Sequence, residues 1–375
     1  MNRPLRFVVV GAGHLGRIHA KLVASHDDIE LVGVVDPVAA SGVAKEFGTL
    51  GFASLDEAFP VLHRPDLVVD GAIVATPTVT HDSVAQRLLG NGIHVLVEKP
   101  ITDDVETAQQ LVKAAESARR VLQVGHVERF NPAVEVAQAR IQDPKFIEAR
   151  RLCRHTFRST DVGVVHDLMI HDIDLVLSTV KSRPVDVQAF GVSVLGDSED
   201  IAHATIRFEN GCIANLVASR VSLEAERRLN VYMPIGFVGV DMQSGSVDNV
   251  SVGESLLKGF ALSDVPSSER AGLREQLFDG LMNHDRPVVH EQNAILEEHR
   301  DFARCIRESA VPRVDGQAGL AALKVAQEIL DCIESHEWDG NANGRIGPFG
   351  ISSRNIIRDS RLVPNVTKEI NKKAG

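Results

Sequence analysis

Three short stretches of the chain place residue types at spacings that chemistry can use. The first is Gly11-Ala-Gly13-His14-Leu15-Gly16, followed twenty residues after Gly16 by Asp36. Gly11 permits a tight turn, Gly13 lets the backbone approach a pyrophosphate, and Gly16 lets a helix pack closely on a strand. A carboxylate at Asp36 can accept both hydroxyls of an adenosine ribose and repels a 2'-phosphate, which favours NAD over NADP. The second stretch is Glu98-Lys99-Pro100, an acid and an amine held by the following proline. The third is Asp167-x-x-x-His171, two titratable groups one helical turn apart. An amine or imidazole beside a nicotinamide can take the hydroxyl proton of a secondary alcohol as its C–H bond breaks. Lys99 and His171 are both candidates, with Asp167 to orient the imidazole or hold sugar hydroxyls.

These residues need elements to position them. Residues 6–13 run from β-branched strand composition into glycine, residues 17–25 read as a helix, and residues 30–35 as a second strand ending at Asp36. The alternation continues with a helix over 53–62, a strand over 67–75, a helix over 83–89 and a strand over 94–97. That order predicts a parallel sheet, with ligands beyond the carboxyl ends of its strands. Ala75-Thr76-Pro77-Thr78-Val79-Thr80-His81 falls at one such end, where Thr76, Pro77 and His81 are expected near the cofactor and Thr80 as a helix cap. For Glu98-Lys99, position alone leaves a surface ion pair open.

Residues 164–180 read as a helix. Asp167, His171, Asp174 and Ser178 share one face, and Met169, Ile173, Val176 and Val180 the opposite one. Apolar residues flank the polar strip, which suits a cleft wall better than open surface. Ahead of it, Gln123-Val-Gly-His-Val-Glu-Arg-Phe-Asn-Pro begins as a strand and turns polar, so that His126, Arg129 and Asn131 emerge near the cleft. Arg129 could equally pair with Glu128 or Glu135. Strands are expected over 185–194, 203–208 and 212–219, the last two joined by Glu209-Asn210-Gly211, with more over 229–252. Two amphipathic helices over 291–308 and 320–337 close the fold, and residues 338–375 read as an extended tail.

The 375 residues are comfortable for two domains, expected at 1–125 and 126–337, and 44% hydrophobic with 24% charged residues is ordinary globular usage. A formal net charge of -11 argues against nucleic acid as a partner. The apolar start is too short and glycine-broken for a signal or a membrane span, so a cytoplasmic protein is expected. Cys153, Cys212, Cys305 and Cys332 stand at wide spacings without a zinc pattern, and are read as reduced thiols; no metal is expected.

Taken together, these motifs resemble the glucose-fructose oxidoreductase and inositol dehydrogenase (Gfo/Idh/MocA) family of NAD(P)-dependent sugar oxidoreductases. The likeness rests on the glycine loop with His19 following, Ala75-Thr-Pro-Thr with His81, Glu98-Lys-Pro, Asp167-x-x-x-His171 and Pro312-Arg-Val-Asp-Gly, and runs to about Glu337. It implies an α/β Rossmann domain joined to an α+β domain with an open, mostly antiparallel sheet. It further implies that Lys99, Asp167 and His171 act at the hydride-transfer site. Many members carry glycine two places after the motif aspartate, where this chain has Met169. The open sheet predicts a homodimer or homotetramer.

Gly125-His-Val-Glu-Arg-Phe-Asn-Pro and residues 161–174 are similar to the branch acting on UDP-N-acetylglucosamine and related nucleotide sugars. This likeness implies oxidation of the sugar 3-hydroxyl to a 3-keto product, ahead of an aminotransferase in lipid A synthesis. A diphosphate needs cations, and Arg150, Arg151, Arg154 and Arg158 precede the catalytic helix. Surface pairing with this chain's acids is the alternative for each. Three other readings stay open: an inositol or simple-sugar dehydrogenase, an NAD-dependent glycosidase, and a non-catalytic NAD sensor.

Overall fold

The valine-rich run at residues 7–10 has no polar face, and the structure buries it on both sides at the centre of a parallel sheet. This structure is a computed structural model; it describes residues 3–156, 162–195, 198–274, 277–278 and 280–338. In chain order the first unit comprises β1 (Leu5–Val10), α1 (His14–Ala24), β2 (Ile29–Val35), α2 (Ala40–Phe47), β3 (Leu50–Phe52), α3 (Leu55–Leu62), β4 (Gly71–Val74), α4 (His81–Gly90), β5 (His94–Glu98), α5 (Val105–Ala118) and β6 (Leu122–Gly125). The strand order is β3-β2-β1-β4-β5-β6, parallel throughout. The expected helix over 53–62 begins at Leu55 because the Ser54 hydroxyl accepts the Glu57 amide. The strand expected from 67 begins only at Gly71.

A short turn (Val127–Phe130) and α6 (Pro132–Gln138) lead into a second sheet. Its strands are β7 (Phe146–Leu152), β8 (Pro184–Val192), β9 (Ile201–Phe208), β10 (Ile213–Ser219), β11 (Glu226–Met233), β12 (Gly236–Asp241), β13 (Ser246–Val252) and β14 (Met282–Asp285). They lie in the order β14-β13-β12-β11-β7-β10-β9-β8, antiparallel except where β7 and β10 pair. The β9–β10 hairpin turns at Gly211, whose φ of +83° only glycine adopts readily. α7 (Ile170–Val180), between β7 and β8, covers one sheet face together with α6; after α8 (Glu254–Leu257) come α9 (Ala294–Glu308) and α10 (Gly316–Ser335), and α10 completes that cover.

Residues 294–337, expected within the second domain, also complete the first. Phe302 of α9 packs against Phe7 with ring centroids 5.3 Å apart, and Val314, Leu320 and Leu323 enter the first sheet's core. The Val124 amide donates to the Val314 carbonyl across 3.0 Å, so the chain just before α10 borders β6. The four cysteines are free thiols, and among the described residues no helix is long and apolar enough to cross a membrane.

Candidate active site

The carboxyl ends of β1, β2, β4 and β5 converge on one edge of the first sheet. Gly11 takes a φ of +96°, and a Cβ there would stand 2.4 Å from the Ala75 carbonyl oxygen. At Gly16 a Cβ would stand 1.9 Å from the Gly11 oxygen, so the loop and α1 close only over glycine. Gly13 differs: nothing lies within 4 Å of where its Cβ would project. It is the N-cap of α1, with no side chain capping the helix. An open space above uncapped backbone donors fits a diphosphate. His14 and Leu15 form the first turn beside it.

Asp36 at the end of β2 accepts the amides of Ala12 at 2.8 Å, Val38 at 2.9 Å and Ala39 at 2.7 Å. Burial pushes its carboxyl up, but the backbone donors outweigh that and hold it below the usual range. Asp36 therefore fixes the glycine loop as well as standing where a ribose would lie. Thr76 and Pro77 follow β4, and His81 ties their loop to the next, its ring nitrogens 2.9 Å from the carbonyls of Thr76 and Pro100. Thr80 stands at the N-cap of α4 as expected, but its hydroxyl donates towards Thr76 and Pro77 rather than accepting a helix amide.

Lys99 leaves the tip of β5 and crosses to the second unit. Its Nζ donates to the backbone carbonyl of Asp167 at 2.7 Å and lies 3.6 Å from the Asp167 carboxylate. The helix expected over 164–180 begins as a π turn, Val165–Met169, and continues as α7. π turns widen a helix and recur at functional sites. The turn is pinned at its start by the Val165 amide, which donates to Glu199. Met169 is fully buried in the core.

Desolvation lowers the Lys99 pKa, and Arg151 adds to the fall; Asp167 and Glu98 oppose it. His171 is driven well below the usual imidazole value, first by burial and then by Lys99 and Arg151. His126, edge-on to His171 with centroids 6.4 Å apart, is pushed down to about 3 by burial, Lys99 and Arg129. Both are thus neutral at pH 7. His171 Nδ1, His166 Nε2 and both His126 nitrogens are buried without a protein partner among the described residues. Unpartnered buried polar atoms are costly, and here they mark where a polar ligand belongs.

Several expected site residues serve the frame instead. Arg129 pairs with Asp174 at 3.3 Å and donates to the Arg313 carbonyl, using neither Glu128 nor Glu135. Asn131 caps α6 by accepting the Ala133 amide and donates to Glu128. Asp174 is fully enclosed, pushed up to about 7 by burial despite Arg129. Ser178 is turned onto the Leu175 carbonyl. Of the four arginines expected to meet a diphosphate, Arg151 is buried between Asp172 at 2.8 Å and Glu128 at 2.7 Å. Arg150 pairs with Glu226, and Arg154 donates to the Leu223 carbonyl. Arg158 lies outside the described residues.

The Glu128–Arg151–Asp172 bridge went unread in the sequence, yet it clamps the neighbours of His126 and His171 together. Its signal was present: Ile147, Ala149 and Arg151 alternate along β7 on the buried face. Glu98, expected near the cofactor, has its Oε1 2.8 Å from His19 Nε2. Cys153 and Arg227 border the cleft unread. Arg227 stands opposite Arg151 across the β7–β11 pair, and its charge bears on His171, Asp172 and Cys153.

Known proteins share this fold. Residues 5–126 match the family described as "Oxidoreductase family, NAD-binding Rossmann fold", and residues 133–237 match the "GFO/IDH/MocA C-terminal domain". The UDP-N-acetylglucosamine 3-dehydrogenase of Acidithiobacillus ferrooxidans is 34% identical over 88% of this chain and 98% of its own. This chain belongs to the Gfo/Idh/MocA oxidoreductase family. A solved structure of the Acidithiobacillus enzyme superposes with a TM-score of 0.75 at 32% identity, over 88% of this chain and 98% of that one. An inositol 2-dehydrogenase of Rhizobium meliloti is 25% identical over 86% of this chain and 94% of its own. The fold is shared with a Lactobacillus casei scyllo-inositol dehydrogenase solved with NAD(H) and scyllo-inositol, at a TM-score of 0.68 and 21% identity, over 88% of this chain and 97% of that one. The protein is an NAD-dependent oxidoreductase of this family, and its glycine loop, uncapped α1 and Asp36 fit that cofactor.

Proposed function

We propose that the protein oxidises the 3-hydroxyl of UDP-N-acetylglucosamine to a 3-keto nucleotide sugar. The observation that carries the chemistry is Lys99 Nζ, half-buried and bonded to the Asp167 carbonyl among neutral imidazoles. NAD, when bound, supplies the hydride acceptor. A lysine whose pKa has been lowered is a better base at working pH than an imidazole driven far below it, so Lys99 takes the hydroxyl proton. His171 and His126, neutral and unpartnered, hydrogen-bond the sugar hydroxyls, and Asp167 holds the amine in place. Support for the nucleotide sugar comes from the Acidithiobacillus relative, 34% identical across nearly its whole length.

With Arg151 consumed in the frame, Arg227 is the cation proposed to meet the diphosphate. It is exposed, on the helix-covered face of β11 at the cleft. A keto product at C3 suits amination by a separate enzyme to a 3-amino sugar, the use proposed here for lipid A synthesis, and the outer sheet face, carrying exposed Phe190 and Ile213, suits a homo-oligomer in the cytoplasm.

A second reading, an inositol or simple-sugar dehydrogenase, is favoured by the engagement of three of the four arginines expected for a diphosphate. NAD reduction with UDP-N-acetylglucosamine, free N-acetylglucosamine and myo-inositol separates the two. The nucleotide sugar is expected to give the highest kcat/KM; equal or better turnover of either free compound overturns the assignment.

A further inference from the structure

Behind the strand that carries Lys99, three elements bury a row of titratable groups that the proposed chemistry does not use. His19 of α1, Glu298 and His299 of α9 are wholly enclosed, and Glu98 at the end of β5 is 8% exposed. His19 Nε2 lies 2.8 Å from Glu98 Oε1, and His19 Nδ1 lies 2.8 Å from His299 Nε2. The other Glu98 oxygen accepts the Lys99 backbone amide at 3.3 Å. The row therefore runs His299–His19–Glu98 and ends on the residue next to the amine.

Counting protons fixes its sense. A neutral imidazole has one N–H. If His19 donates through Nε2 to the carboxylate, its Nδ1 must accept from His299 Nε2–H. His299 Nδ1 is then an unprotonated nitrogen, and it has no hydrogen-bond partner among the described residues. His299 is held far below the usual imidazole value by burial, His19 and His26, in keeping with a neutral ring. Glu298 is driven well above the carboxylate range, first by burial and then by Glu98.

Holding α1, β5 and α9 together does not call for this arrangement. Apolar side chains of similar volume commonly replace buried ionic groups without loss of stability. We propose that His19 and His299 are positioning residues that hold Glu98 as a carboxylate beside Lys99, so that the amine keeps the proton affinity its role as base requires. The proposal rests on the dehydrogenase reading of Lys99. The groups bearing on Lys99 are Glu98, Asp167, Arg151, His126, His166 and His171; those bearing on Glu98 are His19, Glu298, His81 and Lys99. Glu98 joins the two sets, accepting from His19 on one side and from the Lys99 backbone amide on the other.

Glu98→Gln removes the charge with little change of shape. The acidic limb of kcat/KM should move to lower pH by about one unit, since loss of a nearby opposite charge lowers an amine's pKa. His19→Leu strips the carboxylate of its donor, favours its protonation and should move the limb the same way. The double variant should move no further than Glu98→Gln alone. His19→Gln, which keeps a donor towards Glu98 without a titrating ring, should restore the wild-type limb. His299→Leu frees His19 to take the other tautomer and should give a smaller shift of the same sign.

The same shift is to be read without turnover, from the pH dependence of the carbon-13 NMR signal of reductively methylated Lys99, assigned by its loss in Lys99→Met. That readout separates failure of the proposal from failure of the substrate assignment. A limb and a Lys99 signal that stay put in folded, NAD-binding Glu98→Gln overturn the proposal, whatever happens to kcat or Tm. A shift in Glu98→Gln with none in His19→Leu or His299→Leu overturns the role of the histidines.

Discussion

The nucleotide cradle and the catalytic cleft lie side by side but are made of different material. In the cradle the backbone acts: Gly11 and Gly16 permit an approach that a Cβ would block at 2.4 and 1.9 Å, and Gly13 leaves space. Asp36 adds a charged side chain, and three neighbouring amides hold it. In the cleft side chains act, brought from β5, the loop after β6, the π turn and α7, and buried until their proton affinities change. A site built from backbone is written in consecutive residues. One built from desolvated side chains exists only once the sheets have docked.

Replacing the proposed base is the strongest way to break that distinction. Lys99→Met should lower kcat by about 10²- to 10⁴-fold, the usual contribution of proton transfer, while NAD affinity stays near wild type. Pre-steady-state turnover and NAD titration by fluorescence check both halves. In the wild type the rate should rise with pH through a value below the ordinary lysine range, because the amine must shed its proton to act and burial has lowered its pKa. A limb at or above the ordinary lysine value would remove Lys99 as the base.

The cradle should respond in binding rather than in chemistry. Asp36→Ala should weaken NAD about ten- to a hundredfold, as loss of a charged hydrogen-bond partner does, and should narrow the preference over NADP. Part of the loss will come from the freed Ala12 amide, since Asp36 also holds the glycine loop. Isothermal titration with both nucleotides measures it. Full retention of NAD preference would show that the ribose lies elsewhere.

The same contrast explains what the sequence disclosed. The strand, glycine, helix and acid order of residues 6–36 needs no tertiary contact to be recognised, and the parallel sheet followed from alternation alone. The meeting of Lys99 with Asp167 was also legible, from a strand end and the start of a later helix. What stayed hidden was which charges the fold consumes. Arg129, Arg150, Arg151 and Arg154 look alike in the sequence, yet Arg151 meets Asp172 from 21 positions away and Arg129 meets Asp174 from 45. Partners that distant are chosen by docking geometry, and no local period encodes them. Arg227, in a strand of alternating Arg, Leu and Val, became a candidate only when its register opposite Arg151 was known.

That register sharpens the comparison to two neighbouring cations on opposite faces of one sheet. Arg227 follows the parity of Leu229 and Val231 on the helix-covered face, whereas Arg150 pairs with Glu226 on the outer face. A guanidinium meeting a diphosphate makes charge-assisted hydrogen bonds that a neutral side chain cannot replace. Arg227→Gln should therefore raise KM for UDP-N-acetylglucosamine roughly tenfold, the effect of about 1.4 kcal/mol, with kcat little changed, because the contact is made equally in ground and transition states. Arg150→Gln should leave both constants alone and cost at most about 1 kcal/mol of stability, as exposed pairs do. Inhibition by free UDP gives an independent reading: it should weaken in Arg227→Gln and not in Arg150→Gln. If the two variants bind UDP equally, the diphosphate does not reach β11. If wild-type turnover of the nucleotide sugar is also no better than that of the free sugar, the diphosphate has no site at all.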